Sequence, residues 1–432
     1  MTVSPPVRDR AVDVARLGAL IVVMFGHCAL LLATIDSRGV RIGNLIGTLP
    51  AVAPLTWVAQ VMPLFFLAGG AAGAYGLRPG TAWGPWLFHR AQRLCRPVFW
   101  YLAAWLSGLL LVRLVLGAES AAGVGRESVA LLWFLGVYLV TLAFVPALTR
   151  LSTGRAVAVV LAGLLAGAAA TDGIRLAVGD PMAGVANFVL VWLIPVLFGV
   201  AYARRLIATR FALWAAVGAL AAQLALVTFG PYQVSLVVTG TDELSNVSPP
   251  TIVLALQCVW MSCLFILAAG RIQRWAHRPR VWRLVAAGNG GAMTLYLWHI
   301  PAIAIATFAL HAVGLDAYDV TAADFWARLA VRAVVFAAVM LALFLLLSPL
   351  EHRPLPGWDA PVTATGGRAT AAGALICFSG IALVLTAKFG LADAPGFTAL
   401  GGFLAALAAA RWCGAAPVTV PAAPRSAGSP RP

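Results

Sequence analysis

The sequence predicts an all-α fold, a polytopic bundle of membrane-spanning helices, on three observations. Of the 432 residues, 62% are hydrophobic and only 10% charged, whereas a soluble domain is roughly 45–50% apolar and 25% charged. Apolar stretches long enough to cross ~30 Å of hydrocarbon as helices recur along nearly the whole chain. No series of alternating segments of about ten residues, the signature of a membrane barrel, accompanies them. The composition excludes an ordinary globular enzyme, and also a disordered chain, which would be charge-rich and apolar-poor. A net charge of +15 and a pI near 10.7 would suit a nucleic-acid partner. A mean hydropathy of +0.92 makes the lipid bilayer the expected partner instead, with no nucleic acid.

The apolar stretches fall near residues 12–34, 50–77, 97–117, 128–148, 156–171, 183–203, 211–229, 249–270, 284–311, 327–349, 370–387 and 397–410. The first is longer than a signal-peptide core, contains Arg16 and His27, and lacks a small-residue cleavage site. It is therefore expected to be an uncleaved span. The connecting segments alternate in charge. Arg78, Arg90, Arg93 and Arg96, then Arg150 and Arg155, then Arg204, Arg205 and Arg210, then Arg271 to Arg283 fall on one side. Glu119 and Glu127, Asp172 and Asp180, Asp242 and Glu243, and Asp316, Asp319 and Asp324 fall on the other. The positive-inside rule then puts the N-terminus in the cytoplasm of a multi-pass plasma-membrane protein. Residues 415–432, rich in Ala and Pro, read as a disordered tail. No internal repeat is evident, which weakens a transporter built from inverted repeats.

Several chemistries are absent. The single lysine, Lys388, precedes Phe389 rather than Ser or Thr, so there is no P-loop. The six cysteines show no CxxC spacing and read as small buried hydrophobes, with no disulfide framework and no metal site. Neither H-E-x-x-H nor G-x-S-x-G occurs. Asp36 is the only acid in the first outer loop, which is thin support for a glycosyltransferase.

Polar groups inside a bilayer are functional candidates by default. The strongest lie in the first span, where Asp13 and Arg16 are followed by His27. Eleven helical steps turn to within ~20° of three full turns, placing Arg16 and His27 on one face, about 16 Å apart. Arg16 then sits near the cytoplasmic interface, and Asp13 is spaced to pair with it. His27 lies at or beyond mid-membrane, where apolar surroundings favour the neutral imidazole that a general base or nucleophile requires.

The pattern D-x-x-R-x10-H in a first span resembles the signature of the acyltransferase 3 family, integral membrane enzymes that move acyl groups onto carbohydrates and related acceptors. Further landmarks fall in that family's order. Pro63 to Gly70 (PLFFLAGG) resembles its second span, and Arg90, Arg93, Arg96 and Pro97 resemble the basic stretch before the third. Leu132-Trp133-Phe134-Leu135 resembles its L-W-F-L segment, and Leu295 to Pro301 (LYLWHIP) its late L-Y-L-x-H-x-P. Ala68 departs from the family's frequent serine, and His89 stands at the first position of the double arginine.

The resemblance implies a transmembrane domain of about ten spans over residues 1–350. Residues 351–414 would add a C-terminal hairpin of two spans, followed by the tail.

By that resemblance, His27 and Arg16 are the catalytic candidates. Arg90 and Arg93 are candidates for the phosphates of an acyl-coenzyme A, expected to be acetyl-coenzyme A, which acts as donor substrate rather than as a permanent cofactor. Guanidinium forks suit phosphate, although cytoplasmic retention alone also places arginines there. Asp13 and His299 are candidates to support that pair or to bind the acceptor. The acceptor is a hydroxyl, less often an amine, on a carbohydrate, glycolipid or small metabolite. The cluster from Arg271 to Arg283 is expected to meet anionic lipid. Arg113 and Arg332, near outer span ends, either snorkel or line an acceptor entrance. His277, His311 and His352 receive no role. The competing expectations are a transporter or flippase for a lipid-linked or acylated substrate, with Arg16 and His27 as a relay, and a membrane scaffold.

Overall fold

A computed structural model describes residues 9–36, 39–117, 125, 129–240 and 244–415. The expected tail from 416, and the acidic loop residues Glu119, Glu127, Asp242 and Glu243, lie outside the described residues. Among those described, 11 helices are long and apolar enough to cross a membrane, and the protein is a polytopic helical membrane bundle. Its helices are α1 (Arg10–Leu30), α2 (Met62–Tyr75), α3 (Trp83–Leu116), α4 (Leu132–Leu142), α5 (Gly154–Val178), α6 (Asn187–Ala203) and α7 (Thr209–Phe229). They continue with α8 (Ile252–Ala276), α9 (Pro279–Gly290), α10 (Ala292–His311), α11 (Phe325–His352), α12 (Gly366–Phe389) and α13 (Ala394–Gly414).

The twelve apolar stretches map in order onto the 11 long segments plus α4, with four differences. The first helix stops at Leu30, and the chain turns into an antiparallel hairpin, β1 (Leu31–Asp36) and β2 (Gly39–Asn44). Val40 and Ile42 alternate with polar or small neighbours there, a period of two that a helix cannot use. The third helix starts fourteen residues earlier than expected, at Trp83, so the arginines at 90, 93 and 96 ride on a continuous helix through Pro97. The fourth stretch yields only the 11 residues of α4, about 16 Å at 1.5 Å per residue. Pro146 opens the next short turn, Val145–Leu148, and its ring would clash with the Leu142 carbonyl in a continuous helix. Residues 284–311 divide at Gly290 and Gly291 into α9, which carries arginines, and the apolar α10.

Helix α1 packs against α2, α8, α10 and α11. Asp9 caps its start by accepting from the Ala11 and Val12 amides, and the Tyr75 and Tyr202 hydroxyls donate to the same carboxylate at 2.9 and 3.0 Å. One capping residue thereby ties α1 to the ends of α2 and α6. Close approach of α2 to α6 requires glycine on both. A Cβ at Gly70 would stand 2.4 Å from the Val196 carbonyl oxygen, and one at Gly199 would stand 2.0 Å from that of Leu67. Helix α12 packs against α3, α4 and α13.

At the hairpin end of the bundle, Asp172 is 2% exposed and organises the segment before α8. It accepts from the Ile252 amide at 2.6 Å, the Tyr232 hydroxyl at 3.2 Å and the Asn187 amide group at 3.3 Å. Burial, with the neighbouring carboxylate, pushes the Tyr232 phenol up from its ordinary pKa. Arg175 beside it donates to the Pro249 carbonyl at 3.2 Å. Replacing Asp172 with alanine orphans these buried donors, so Asp172→Ala should lose about 3 kcal/mol. Thermal unfolding in detergent micelles checks this, with Asp172→Asn expected to lose less.

Candidate active site

The sequence landmarks converge on one aromatic cluster inside the bundle. Phe66 of α2 stacks on Trp192 of α6 at 4.6 Å between centroids and meets Phe134 of α4 edge-on at 5.2 Å. Phe134 contacts Tyr296 of α10 at 5.4 Å, and the Tyr296 hydroxyl donates to the Leu131 carbonyl. Trp133 packs on Trp192 at 5.9 Å and serves as packing rather than as an interfacial anchor. Edge-to-face and stacked geometries of this kind hold ring positions within narrow limits.

The cluster ends at two histidines. His299 lies one turn from Tyr296 on α10, and its ring centroid is 5.4 Å from that of His27 at a tilt of 42°. Its Nδ1 stands 2.7 Å from the Tyr296 carbonyl oxygen. A carbonyl can only accept, so Nδ1 carries the proton, and in the neutral ring Nε2 is a bare lone pair. That Nε2 is buried without a hydrogen-bond partner among the described residues. His299 is fully buried; His27 is partly exposed in the last turn of α1. Should His27 direct one N–H towards this lone pair, its other nitrogen is left as a base.

Arg16 and His27 lie on the unbroken helix α1, so about 16 Å of helix axis separates them and they do not act on the same atom. Arg16 pairs with Asp13 at 2.8 Å, their side chains being 36% and 5% exposed. The buried carboxylate holds a guanidinium that still reaches the surface. Asn289, at the end of α9, donates to the Asp13 carbonyl at 2.9 Å. Tyr138 of α4, which sequence reasoning did not single out, lies in the field of both Arg16 and Arg90.

The basic stretch divides. Arg90 turns inward, donating to the Ala72 and Gly73 carbonyls at 3.2 and 3.4 Å and lying over the Trp86 ring at 4.5 Å. It satisfies carbonyls at the end of α2. Arg93 is exposed and faces a cleft of ≈ 510 Å³ lined also by His89, Gln92, Arg96, Asp359 and Pro361. Arg96 is ion-paired with Asp359 at 2.6 Å. Gln92 fixes the opposite wall through the Trp358 and Ala360 carbonyls at 2.7 and 3.0 Å.

Arg113 is exposed. Arg332 is 1% exposed and therefore does not snorkel. A charged residue deep in a span costs at least ~2.5–3.5 kcal/mol, so its retention needs a reason. At the arginine-rich end, Glu351 accepts from the Thr294 amide and hydroxyl at 3.0 and 2.9 Å, capping the first turn of α10. His311 pairs with Asp316 at 2.7 Å.

Fold and site together define a multi-spanning membrane protein with a histidine pair inside the bundle, one ring buried and the other partly exposed, on a first helix whose other end carries the Asp13–Arg16 ion pair. The family model described as an acyltransferase domain, acyltransferase 3, matches residues 9–348. The chain belongs to that family and is a membrane acyltransferase of the kind that transfers groups other than amino-acyl groups. The match takes in both histidines and every landmark, and it stops before α12 and α13. Comparison with curated proteins and with solved structures gives no match.

Proposed function

We propose that the protein moves an acetyl or similarly short acyl group from acyl-coenzyme A to a hydroxyl of a carbohydrate, glycolipid or small metabolite. The donor enters from the cytoplasm, where the N-terminus lies, and the enzyme resides in the plasma membrane. The observation that carries this reading is the His27–His299 pair with its bare, buried Nε2. His27 takes the acceptor proton as the acceptor oxygen adds to the acyl carbon, and the carbon–sulfur bond then breaks to release the thiolate. When His27 turns an N–H towards the His299 Nε2, His299 accepts that bond and so selects the nitrogen that acts as base. Arg16, held by Asp13, orients the donor at a distance, since an extended carrier arm is needed to reach His27 from the arginine-rich end.

The donor phosphates are assigned to the cleft of Arg93, with Arg90 holding α2 in place beside it. Arg93→Gln should therefore raise the donor KM about tenfold with thermal stability unchanged. Arg90→Gln should instead lower stability by about 1–2 kcal/mol, since buried carbonyls lose their donor. Titrating the donor and melting both variants separates the two roles. The reading as a whole is tested by thiol release from acetyl-coenzyme A by purified protein, with and without candidate acceptors, and by mass spectrometry of the acylated product. Substrate flux without thiol release would return the protein to the transporter reading.

A further inference from the structure

The guanidinium of Arg332 has no part in the chemistry above. It is the eighth residue of α11 and one of the largest fully buried side chains in the protein. Its Nη2 donates to the carbonyl oxygen of Cys28, the residue after His27, at 2.6 Å. The Cys28 thiol lies alongside. Nε and Nη1 are buried and have no hydrogen-bond partner among the described residues, which leaves three of the five N–H donors unmet. No ion pair to Arg332 occurs among the described residues. The two helices are packed together beside it: Phe336, one turn along α11, meets Phe25 of α1 edge-on at 5.3 Å.

A purely structural arginine in a bilayer would be paired or would reach the interface. This one is not exposed, has no ion pair among the described residues, and spends one donor on the backbone carbonyl of the turn that carries the catalytic histidine while Nε and Nη1 go unmet. Arg16 lies on the arginine-rich side of His27, and Arg332 lies beyond it, towards the hairpin end. We propose that Arg332 binds an oxygen-borne negative charge at the flank of His27. The oxygen comes either from the reacting acyl carbonyl or from an acid group on the acceptor.

The assignment rests on the acyl-transfer reading only for the source of that oxygen. When the acceptor oxygen bonds to the acyl carbon, the carbonyl π pair moves onto its own oxygen and His27 takes the acceptor proton. When the pair returns, the carbon–sulfur bond breaks and the thiolate leaves. Donors fixed in a dry site favour the intermediate in which that oxygen is charged. The guanidinium stays protonated throughout and transfers nothing.

The test uses purified full-length protein in detergent micelles, with acetate as the anion and chloride at equal ionic strength as the control. Thermal unfolding of the wild type should rise saturably with acetate, and Arg332→Gln should not respond. Where Arg332→Gln does not fold, Arg332→Lys keeps the charge and loses the guanidinium donor set, and its response should be at least tenfold weaker. An acetate response equal in wild type and variant, including none in either, overturns the proposal. Because this arm needs no acyl transfer, it gives an answer even if the donor or acceptor assignment fails. Kinetics of the folded variant then assign the source. A fall of ~10²–10³ in kcat at unchanged KM marks the acyl carbonyl. A rise in acceptor KM at unchanged kcat marks an acid group on the acceptor.

Discussion

His27→Ala should abolish acyl transfer, lowering kcat by at least ~10³-fold, while the purified protein melts close to wild type. A positioned general base is worth about 10²–10⁴ in rate, and removing His27 also leaves His299 with nothing to orient. The fold should tolerate the change because the His27 side chain is partly exposed, and the helix end beside it is closed by its backbone carbonyl, which the Leu31 amide satisfies in either variant. His299→Phe keeps a ring in the aromatic cluster and removes both ring nitrogens, the lone pair with them. Because it also removes the Nδ1–H bond to the Tyr296 carbonyl, some loss of stability is expected, but the folded enzyme should show kcat lowered about tenfold with KM preserved, a split that a packing defect would not give. Initial rates and thermal melts on the same preparations decide both. A well-folded His27→Ala enzyme with full turnover would remove the histidine from the mechanism.

Gly380→Leu should cost on the order of 3 kcal/mol or prevent accumulation of monodisperse protein, because overpacking against rigid backbone has no inexpensive relief. Helices α4 and α12 touch through glycine on both sides. A Cβ at Gly136 would lie 2.4 Å from the Gly380 carbonyl oxygen, and one at Gly380 would lie 2.7 Å from that of Gly136. Close approach of small residues is how helices associate where lipid gives no hydrophobic drive. The variant lies outside the family match, so its failure to fold would show that the acyltransferase bundle depends on the C-terminal pair. Size-exclusion profiles and melting temperatures of Gly380→Leu against Gly402→Leu, where the space around a Cβ is nearly open, provide the comparison.

Much of the bundle was legible because the bilayer imposes one solution, the helix, on any long apolar stretch. The misreadings occurred where local chemistry overrides hydropathy. Pro146 and the Gly290–Gly291 step break apolar runs that a window average joins, and residues 31–34 enter a hairpin strand although they continue the apolar run of α1 in composition. Within the site, Asp13, Arg16 and His27 share one helix, so their spacing sufficed to predict an ion pair and a common face. The cations of α3 were legible as residues and not as roles. Nothing in the spacing of Arg90 and Arg93 tells which one turns inward to the α2 carbonyls and which faces the cleft, since that depends on where α2 ends.

The sequence by itself determined the solvent of this protein, the number and order of its apolar segments, and a polar triad on the first helix, because each is a property of local composition and helical period. Only the tertiary structure decided that His299 stands against His27, and that Arg332 is buried rather than snorkelling. Those contacts join residues 272 and 304 positions apart, and no local rule sets how α10 and α11 are rotated against α1. That rotation is fixed by which side chains interlock in a close-packed interior.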